Sequence, residues 1–446
     1  MAMTSNVSAP GIGSSANKTD VRAMSIATAL FFMWGFLTSL NDILIPHLKG
    51  IFELTYAQAM LVQFAFFSSY FIFALPSGKL VEWRGYKQTM VIGLVVMAVG
   101  ALLFLPAARI ASFGLFLSAL VVLAAGITGL QVAANPYVTS LGPERTAASR
   151  LNFSQAFNSL GTTIGPPLGG LLILGGATLV PGQLHSLSAA ARQTFRQQQA
   201  STVTLPYLGI ALALFALALA LALLKLPGSS AAQMTQDFRP GAFGEDVSTR
   251  SIWREKWLLM GAIGIFVYVG AEVSIGSFLI NYFGLPQITN LSPERAANYV
   301  AFYWGGAMVG RFIGSGLLRK LRTGMVLGAA ALVACLLVII SMLTHGNAAM
   351  WSILAVGLFN SVMFPSIFTL GLANLGALTS KGSSLMVAAI VGGALLPLLE
   401  GKMADAMGVQ RAFIVPVLCY VYIAFFGFAA RNLLTSDMPL ITDPGQ

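Results

Sequence analysis

Charge is scarce in this 446-residue chain. Asp, Glu, Lys and Arg together make up 9% of the residues, whereas 57% are hydrophobic. A soluble globular protein carries about 25% charged residues. Apolar runs of roughly 20 residues, long enough to cross a bilayer as a helix, recur along the whole chain. The composition therefore excludes a soluble protein and predicts a polytopic helical membrane protein.

Cysteine and histidine are scarce as well. Cys335 and Cys419 both fall in apolar runs and lie far apart, so no disulfide framework is predicted. His47, His185 and His345 occur singly at span ends or in a loop, so no metal site is predicted. No predicted span pairs a nucleophile with a histidine, so an enzyme is not expected.

The net charge of +10 comes mainly from basic residues in short loops between apolar runs. This distribution follows the positive-inside rule of membrane proteins and does not predict a nucleic-acid partner. The first 22 residues are polar and contain no apolar stretch typical of a signal peptide, so they are interpreted as part of a cytoplasmic tail.

Apolar runs between polar segments predict twelve spans. Their approximate bounds are 24–47, 56–79, 89–107, 111–139, 151–175, 206–226, 257–284, 296–318, 324–344, 348–373, 383–406 and 411–433. The polar segment 180–202, on the outside, is predicted to include an amphipathic helix.

A central polar segment divides these spans into six and six, which predicts an all-α membrane protein of two six-helix bundles. The excess of Lys and Arg on one side places both termini inside. The expected parts are a tail (1–23), an N-terminal bundle (24–226), a cytoplasmic linker (227–256), a C-terminal bundle (257–434) and a second tail (435–446).

The loop after the second span reads "GKLVEWRGYK", from Gly78 to Lys87. It resembles the G-x-L-x-D-R-x-G-R-K signature of the major facilitator superfamily, whose members have this six-plus-six arrangement. The resemblance predicts a conformational lock of Gly78, Glu82, Gly85 and Lys87, in which Gly78 allows close helix contact and Glu82 forms a breakable charge pair. The alternative is an ordinary basic loop.

Two acidic residues lie deep inside predicted spans, Asp42 in the first and Glu272 in the seventh. An ionisable group inside a membrane costs about 2.5–3.5 kcal/mol on insertion scales and marks a functional site by default. The alternative for Asp42 is a structural carboxylate held by neighbouring backbone. Glu400 and Asp405 are placed near the outer end of the eleventh span, where water or Lys402 is expected to satisfy them.

Amide side chains also gather inside the spans. Gln131 and Asn135 are four residues apart and share a helix face, whereas Gln155 and Asn158 belong to a polar stripe on the fifth span. Amides both donate and accept hydrogen bonds, which suits sugar hydroxyls, and aromatic rings suit the apolar faces of a sugar. The alternative is that these amides only join helices. The remaining candidates for sugar contact are Asn360, Trp34 and Phe364.

Several separated segments resemble the fucose:proton symporter family, and most of all its glucose/galactose transporter branch. They read "FFMWGFLTSLNDILIPHL", "AANPYVTSLGPE", "LNFSQAFNSLGTTIGP", "FTLGLANLG" and "KGSSLMVAAIVGGALLP". The resemblance implies that Asp42 is the family's essential acid and that Gln155 and Asn158 bind sugar. Gln131 falls where fucose-type members have a protonatable glutamate, and a glutamine cannot exchange a proton.

The resemblance implies a monomeric transporter that takes up a hexose, glucose or galactose, across the bacterial inner membrane by alternating access. Three modes of coupling stay open: Asp42 alone exchanges a proton, Glu272 takes over the lost role, or transport is uncoupled. Sodium is an alternative to the proton, and no cofactor is expected. The "GTTIGPPLGG" stretch (161–170) keeps a drug or organic-ion exporter as an alternative, and a non-transporting sugar sensor is another.

Overall fold

A computed structural model describes residues 20–52, 56–173, 188–224, 226 and 251–434. Within these ranges the chain is built of long helices. Most of both predicted tails and most of the predicted linker lie outside the described residues.

The first half of the chain forms six helices. They are α1 (Val21–Phe52), α2 (Tyr56–Ile110), α3 (Phe113–Ser140), α4 (Ala147–Ile173), α5 (Ala189–Ser201) and α6 (Thr204–Leu223). Helix α2 covers two predicted spans and breaks at Gly85, whose φ of 78° is readily adopted only by glycine. Helix α5, with 13 residues, is too short to span a bilayer and forms the helix expected within 180–202.

The second half begins with α7 (Lys256–Phe283), α8 (Pro293–Lys320) and α9 (Thr323–Leu343). Each of its last three crossings consists of two consecutive helices. These pairs are α10 (Gly346–Asn360) with α11 (Met363–Leu372), α12 (Thr379–Ala388) with α13 (Gly392–Met407), and α14 (Val409–Ala412) with α15 (Ile414–Ala429). All twelve predicted spans are therefore mainly helical over their described residues.

Nine helical stretches among the described residues are long and apolar enough to cross a membrane. The stretch Phe64–Ile110 counts once among them, although the break at Gly85 divides it into two crossings. The remaining two crossings are α4 and α8, which carry polar residues along their length. These polar helices are among those through which the two halves meet.

Small residues bring neighbouring helices into backbone contact, as is usual in membranes, where no hydrophobic force drives helices together. A Cβ atom added to Gly427 of α15 would lie 2.5 Å from the backbone nitrogen of Gly328 on α9. Gly161 and Gly165, which begin the exporter-like stretch, pack in the same way against α1. Helix packing therefore accounts for these glycines, and an export function is not needed to explain them.

The two halves are joined by hydrogen bonds from α4 to α8. The Asn152 amide donates to the Arg311 carbonyl at 2.6 Å, and the Ser149 hydroxyl donates to the Ser315 carbonyl at 2.6 Å. We call the end of the molecule where residues 226 and 251 lie the linker end, and Ser149 and Ser315 are close to it. These bonds hold the halves together on that side.

Helix α12 makes a second connection between the halves near the linker end. The Ser380 hydroxyl donates to the Gly78 carbonyl at 2.9 Å, and the Ser383 hydroxyl donates to the Val132 carbonyl at 2.9 Å. Because Gly78 has no side chain, α12 approaches the α2 backbone closely, as the lock motif predicts. The linker end is therefore closed in this structure.

The charged residues of the predicted lock point in different directions. Glu82 faces Lys381 of α12 at 4.0 Å, with the two side chains 35% and 56% exposed. Such an exposed pair contributes only about 0–1 kcal/mol. Lys87 instead donates to the Ala222 carbonyl at 2.7 Å, within its own half. The lock therefore depends more on the close backbone contact than on charge.

Close packing of α9 on α15 predicts that Gly427→Ala destabilises the protein. The added methyl group meets backbone, which cannot move aside, so we expect a loss of about 1–3 kcal/mol and a lower melting temperature in detergent. Gly209→Ala in α6 is the matched control, because nothing lies within 4 Å of its added Cβ. Equal melting temperatures for the two variants would contradict this packing.

Candidate functional site

In the N-terminal bundle, Gln131 of α3 reaches towards α2 and α1. Its amide nitrogen donates to the Tyr70 hydroxyl at 2.9 Å, and the Trp34 indole N–H lies beside this hydroxyl without meeting hydrogen-bond geometry. Helices α1, α2 and α3 therefore meet at one polar point inside the bundle.

The polar stripe of α4 faces the same region. Asn158 donates to the Phe31 carbonyl at 3.1 Å, and the Phe31 ring centroid lies 5.3 Å from that of Trp34. Gln155 is 5% exposed and Asn158 is 9% exposed, so both retain a small accessible surface. The structure thus places Asn158 next to Phe31, which packs on Trp34, and Gln155 lies one turn earlier on the same helix.

Several buried amide atoms have no hydrogen-bond partner among the described residues. They are Oε1 of Gln131, both Oδ1 and Nδ2 of Asn135, and Oδ1 of Asn152. Leaving a buried polar group unpaired costs about 1–3 kcal/mol. The Gln131 and Asn135 amides therefore have hydrogen-bonding capacity that no described residue uses.

In the C-terminal bundle, five polar residues form what we call the tyrosine cluster. Tyr268 donates to Oε1 of Glu272 at 2.9 Å and to the Asn360 carbonyl at 3.1 Å. The Asn360 amide donates to the Tyr303 hydroxyl at 2.8 Å and accepts from the Tyr420 hydroxyl at 2.8 Å. Both ends of the Asn360 amide are therefore occupied, which favours a positioning role for this predicted sugar contact.

Phe364, the other predicted contact in this bundle, lies beside the tyrosine cluster. It follows the interruption between α10 and α11, its ring centroid is 6.4 Å from that of Tyr268, and it is 9% exposed. Part of its ring face therefore remains open to a ligand.

Arg311 connects the two bundles at the level of these clusters. From α8 its guanidinium donates to the Ser159 hydroxyl on α4, next to Asn158 in sequence. Its charge also interacts with that of Glu272, whose side chain is half-buried. A membrane-embedded cation thus contacts one bundle and interacts with an acid of the other.

The predictions for the acidic residues Asp42 and Glu400 have different outcomes. Asp42 lies within α1, but its side chain lies outside the described residues, so its role stays a prediction. The expectation that water or Lys402 satisfies Glu400 is wrong. Glu400 is 0% exposed, and neither of its oxygens has a hydrogen-bond partner among the described residues.

Two surface grooves do not coincide with these clusters. One, of about 740 Å³, runs along α8 and α9, and the other, of about 840 Å³, lies between α1, α4 and α8. Neither is lined by the candidate binding residues, so these grooves are not the candidate site.

The sequence matches the profile of the Major Facilitator Superfamily over residues 26–397. The chain belongs to this superfamily. It is 51% identical over 405 residues to a glucose/galactose transporter of Brucella abortus, with 91% of this chain and 93% of the relative covered. It is 35% identical over 416 residues to the L-fucose-proton symporter of Escherichia coli, with 92% and 93% covered.

Solved structures agree with the sequence relatives. The fold matches the crystal structure of the major facilitator superfamily transporter FucP in the outward conformation, with a TM-score of 0.83 and 34% identity. The match covers 92% of this chain and 99% of the other. The predicted family and the predicted fold of two six-helix bundles are therefore confirmed, and the protein is a multi-pass membrane transporter.

Sequence reasoning missed three residues that organise the site. Arg311 stands in the middle of "GGAMVGRFIGSG", a stretch whose most visible feature is its small residues. An arginine inside a span was a usable signal. Tyr70 and Tyr420 gave no such signal, because a tyrosine in an apolar run reveals its hydrogen bond only when its neighbours are known.

Loss of the link between the bundles is expected to open the linker end. In Arg311→Gln, the guanidinium bond to Ser159 and the charge interaction with Glu272 are both removed. Both native cysteines are replaced by alanine in every background, and a single cysteine is introduced by Ser149→Cys. We expect this cysteine to react several-fold faster with N-ethylmaleimide in Arg311→Gln than in the protein that keeps Arg311. Arg319→Gln is the control, since Arg319 lies on the same helix and is exposed. Equal rates in all backgrounds would contradict a linking role for Arg311.

Proposed function

We propose that this protein is a secondary transporter that takes up a hexose, glucose or galactose, across the bacterial inner membrane. The observation that carries the proposal is a group of buried amide atoms, of Gln131 and Asn135, that have no partner among the described residues. Gln131 is hydrogen-bonded to Tyr70, which lies beside the indole of Trp34. The name of the Brucella abortus relative, a glucose/galactose transporter, supports this choice of substrate.

The chemistry of the site suits a neutral polyol. Gln155 and Asn158 offer donors and acceptors for hydroxyl groups, and both are slightly exposed. Trp34 from one bundle and Phe364 from the other are 8% and 9% exposed and offer apolar faces for the sugar ring. Residues from both bundles then contact the same sugar molecule. Asn360, whose amide is occupied, positions the tyrosines around it.

Alternating access follows from the contacts between the halves. With the linker end in the cytoplasm, as the Lys and Arg distribution favours, the closed side is the cytoplasmic one and the site faces outward. The likeness to FucP in its outward conformation supports this assignment. Rocking of the bundles breaks the serine–carbonyl bonds at the linker end and opens the site inward. A monomer suffices for this cycle.

Coupling to a proton is part of the proposal, with Asp42 and Glu272 as the exchanging groups, because Gln131 cannot ionise. Glu272 interacts electrostatically with Arg311, and Arg311 donates to Ser159 in the other bundle. Protonation of Glu272 removes its attraction for the guanidinium and so changes the link between the bundles. The proton thereby acts on the conformational equilibrium.

The proposed function is tested by counterflow. Purified protein in liposomes preloaded with unlabelled D-glucose is diluted into labelled D-glucose. We expect transient accumulation of label that D-galactose suppresses and L-glucose does not. Binding of hexose without counterflow would identify a sensor, and transport of lipophilic cations without hexose counterflow would identify an exporter; either result overturns the proposal.

Asp42→Ala is expected to abolish hexose transport while the protein stays folded, because the resemblance makes this carboxylate a sugar ligand, a coupling group or both. Counterflow measures transport, and the melting temperature in detergent measures folding. Asp42→Asn keeps the size and separates hydrogen bonding from charge. Counterflow at the full rate in Asp42→Ala would show that the carboxylate has no such role.

We expect Gln131→Glu to change the pH dependence of hexose uptake. A charged carboxylate beside Tyr70 lacks hydration, so uptake should fall at alkaline pH, where the new acid ionises. Gln131→Asn is the control, since it keeps an amide and adds no acid. The measurement is initial uptake in proteoliposomes from pH 5.5 to 8.5. A pH profile identical to that of the unmodified protein would contradict the placement of Gln131 in the transport site.

A further inference from the structure

The buried carboxylate of Glu400 is not used by the site described so far. It lies on α13, about 10 Å before this helix ends at Met407. The residue is 0% exposed, and both carboxylate oxygens lack a hydrogen-bond partner among the described residues. A carboxylate kept in this position without a partner contributes nothing to packing that an apolar side chain could not provide.

The groups that face Glu400 come from α7 and α15. The Ser274 hydroxyl of α7 lies beside the carboxylate without meeting hydrogen-bond geometry, and it too is fully buried and unpartnered. From α15, Cys419 and Tyr420 interact with Glu400 electrostatically. Each of these neighbours is neutral in its protonated form.

Charged groups near this site are turned away from it. Lys402 and Asp405 on the same helix are exposed, as is Arg411 of α14. Helix α2 approaches α13 through the ring of Phe67, close to Gly393. No described element packed against α13 therefore supplies a cation to Glu400.

These surroundings favour a proton over a metal ion. An isolated charged carboxylate inside a low-dielectric interior is so costly that the group binds a proton instead. A bound hard cation requires several oxygen ligands, about six or more for the alkaline-earth ions. Beside the carboxylate, the described surroundings offer the single hydroxyl of Ser274.

The position of Glu400 connects it to the tyrosine cluster. Helix α7 carries both Ser274, which faces Glu400, and Glu272. Tyr420 lies within electrostatic range of both Glu272 and Glu400, and its hydroxyl donates to Asn360 at 2.8 Å. A change of charge on Glu400 therefore alters the electrostatic environment of the tyrosine cluster. Through Glu272, this cluster interacts with Arg311, which connects the two bundles.

Glu400 also lies in the half of the membrane opposite the linker end. Helix α7 starts at the linker end, and Ser274 is in its far half. The contacts between the bundles close the linker end, so the side nearer Glu400 is the open one. A proton loaded there comes from the outer solution.

The geometry points to Glu400 as a proton-binding site that couples hexose uptake to the proton gradient. Its carboxylate binds a proton from outer water while the site faces outward. After the bundles rock, the O–H bond breaks and the proton leaves to inner water past Glu272, together with the sugar. This role rests on the proposed hexose transport and adds a third acid to Asp42 and Glu272.

The test compares Glu400→Gln with the unmodified protein in two assays. Counterflow needs no net proton movement and should stay within about two-fold of the unmodified rate. Accumulation of labelled glucose driven by an imposed inward proton gradient should fall at least ten-fold. Asp405→Asn is the matched control, an exposed acid on the same helix whose loss should change neither assay. Glu400→Asp should retain accumulation, with a shifted pH profile.

Any other result would contradict the inference. Undiminished proton-driven accumulation in Glu400→Gln would show that this acid does not couple. Loss of counterflow as well would show that it supports folding or sugar movement instead. Counterflow without proton-driven accumulation in the unmodified protein, or accumulation driven by sodium alone, would overturn proton coupling but leave hexose transport standing. Absence of counterflow in the unmodified protein would overturn the proposed function itself.

Discussion

Water does not reach the hydrocarbon interior of a bilayer, so every polar atom of a membrane-embedded chain needs a partner within the protein, in a ligand or in water held in a protein cavity. Helices satisfy the backbone, and this requirement makes the described chain helical at each crossing. Side chains are under the same constraint, yet a few have no partner among the described residues. Oε1 of Gln131, the amide of Asn135 and the carboxylate of Glu400 are among them. Under the proposed function, these are the atoms that bind the sugar or the proton.

Polar atoms that are paired hold the two bundles in one arrangement. Arg311 is central to it, because a single guanidinium contacts Ser159 in the N-terminal bundle and interacts with Glu272 in its own. The serine–carbonyl bonds at the linker end are individually weak, and a net contribution of about 0.5–1.5 kcal/mol each is typical. A set of weak contacts can break and re-form during a transport cycle, whereas a large apolar interface could not.

Sequence patterns predicted the twelve crossings because apolar length and polar punctuation are local properties. Family resemblance placed Gln155 and Asn158 in the site, and the structure puts Asn158 next to Phe31, which packs on Trp34. The Gln131–Tyr70 bond and the tyrosine cluster could not be predicted, since each joins residues far apart in the chain. Glu400 was misjudged for the same reason: nearness to a helix end suggested hydration, and only the packing of α7 and α15 shows its burial.

The most direct test of the account is an experimental structure with D-glucose bound. We predict sugar hydroxyls within hydrogen-bonding distance of Oε1 of Gln131 and of the Gln155 or Asn158 amides, with the ring between Trp34 and Phe364. This result would show that the unpaired amides are sugar ligands. A hexose bound elsewhere, with ordered water on these amides, would contradict the central claim that unpaired polar atoms mark the transport site.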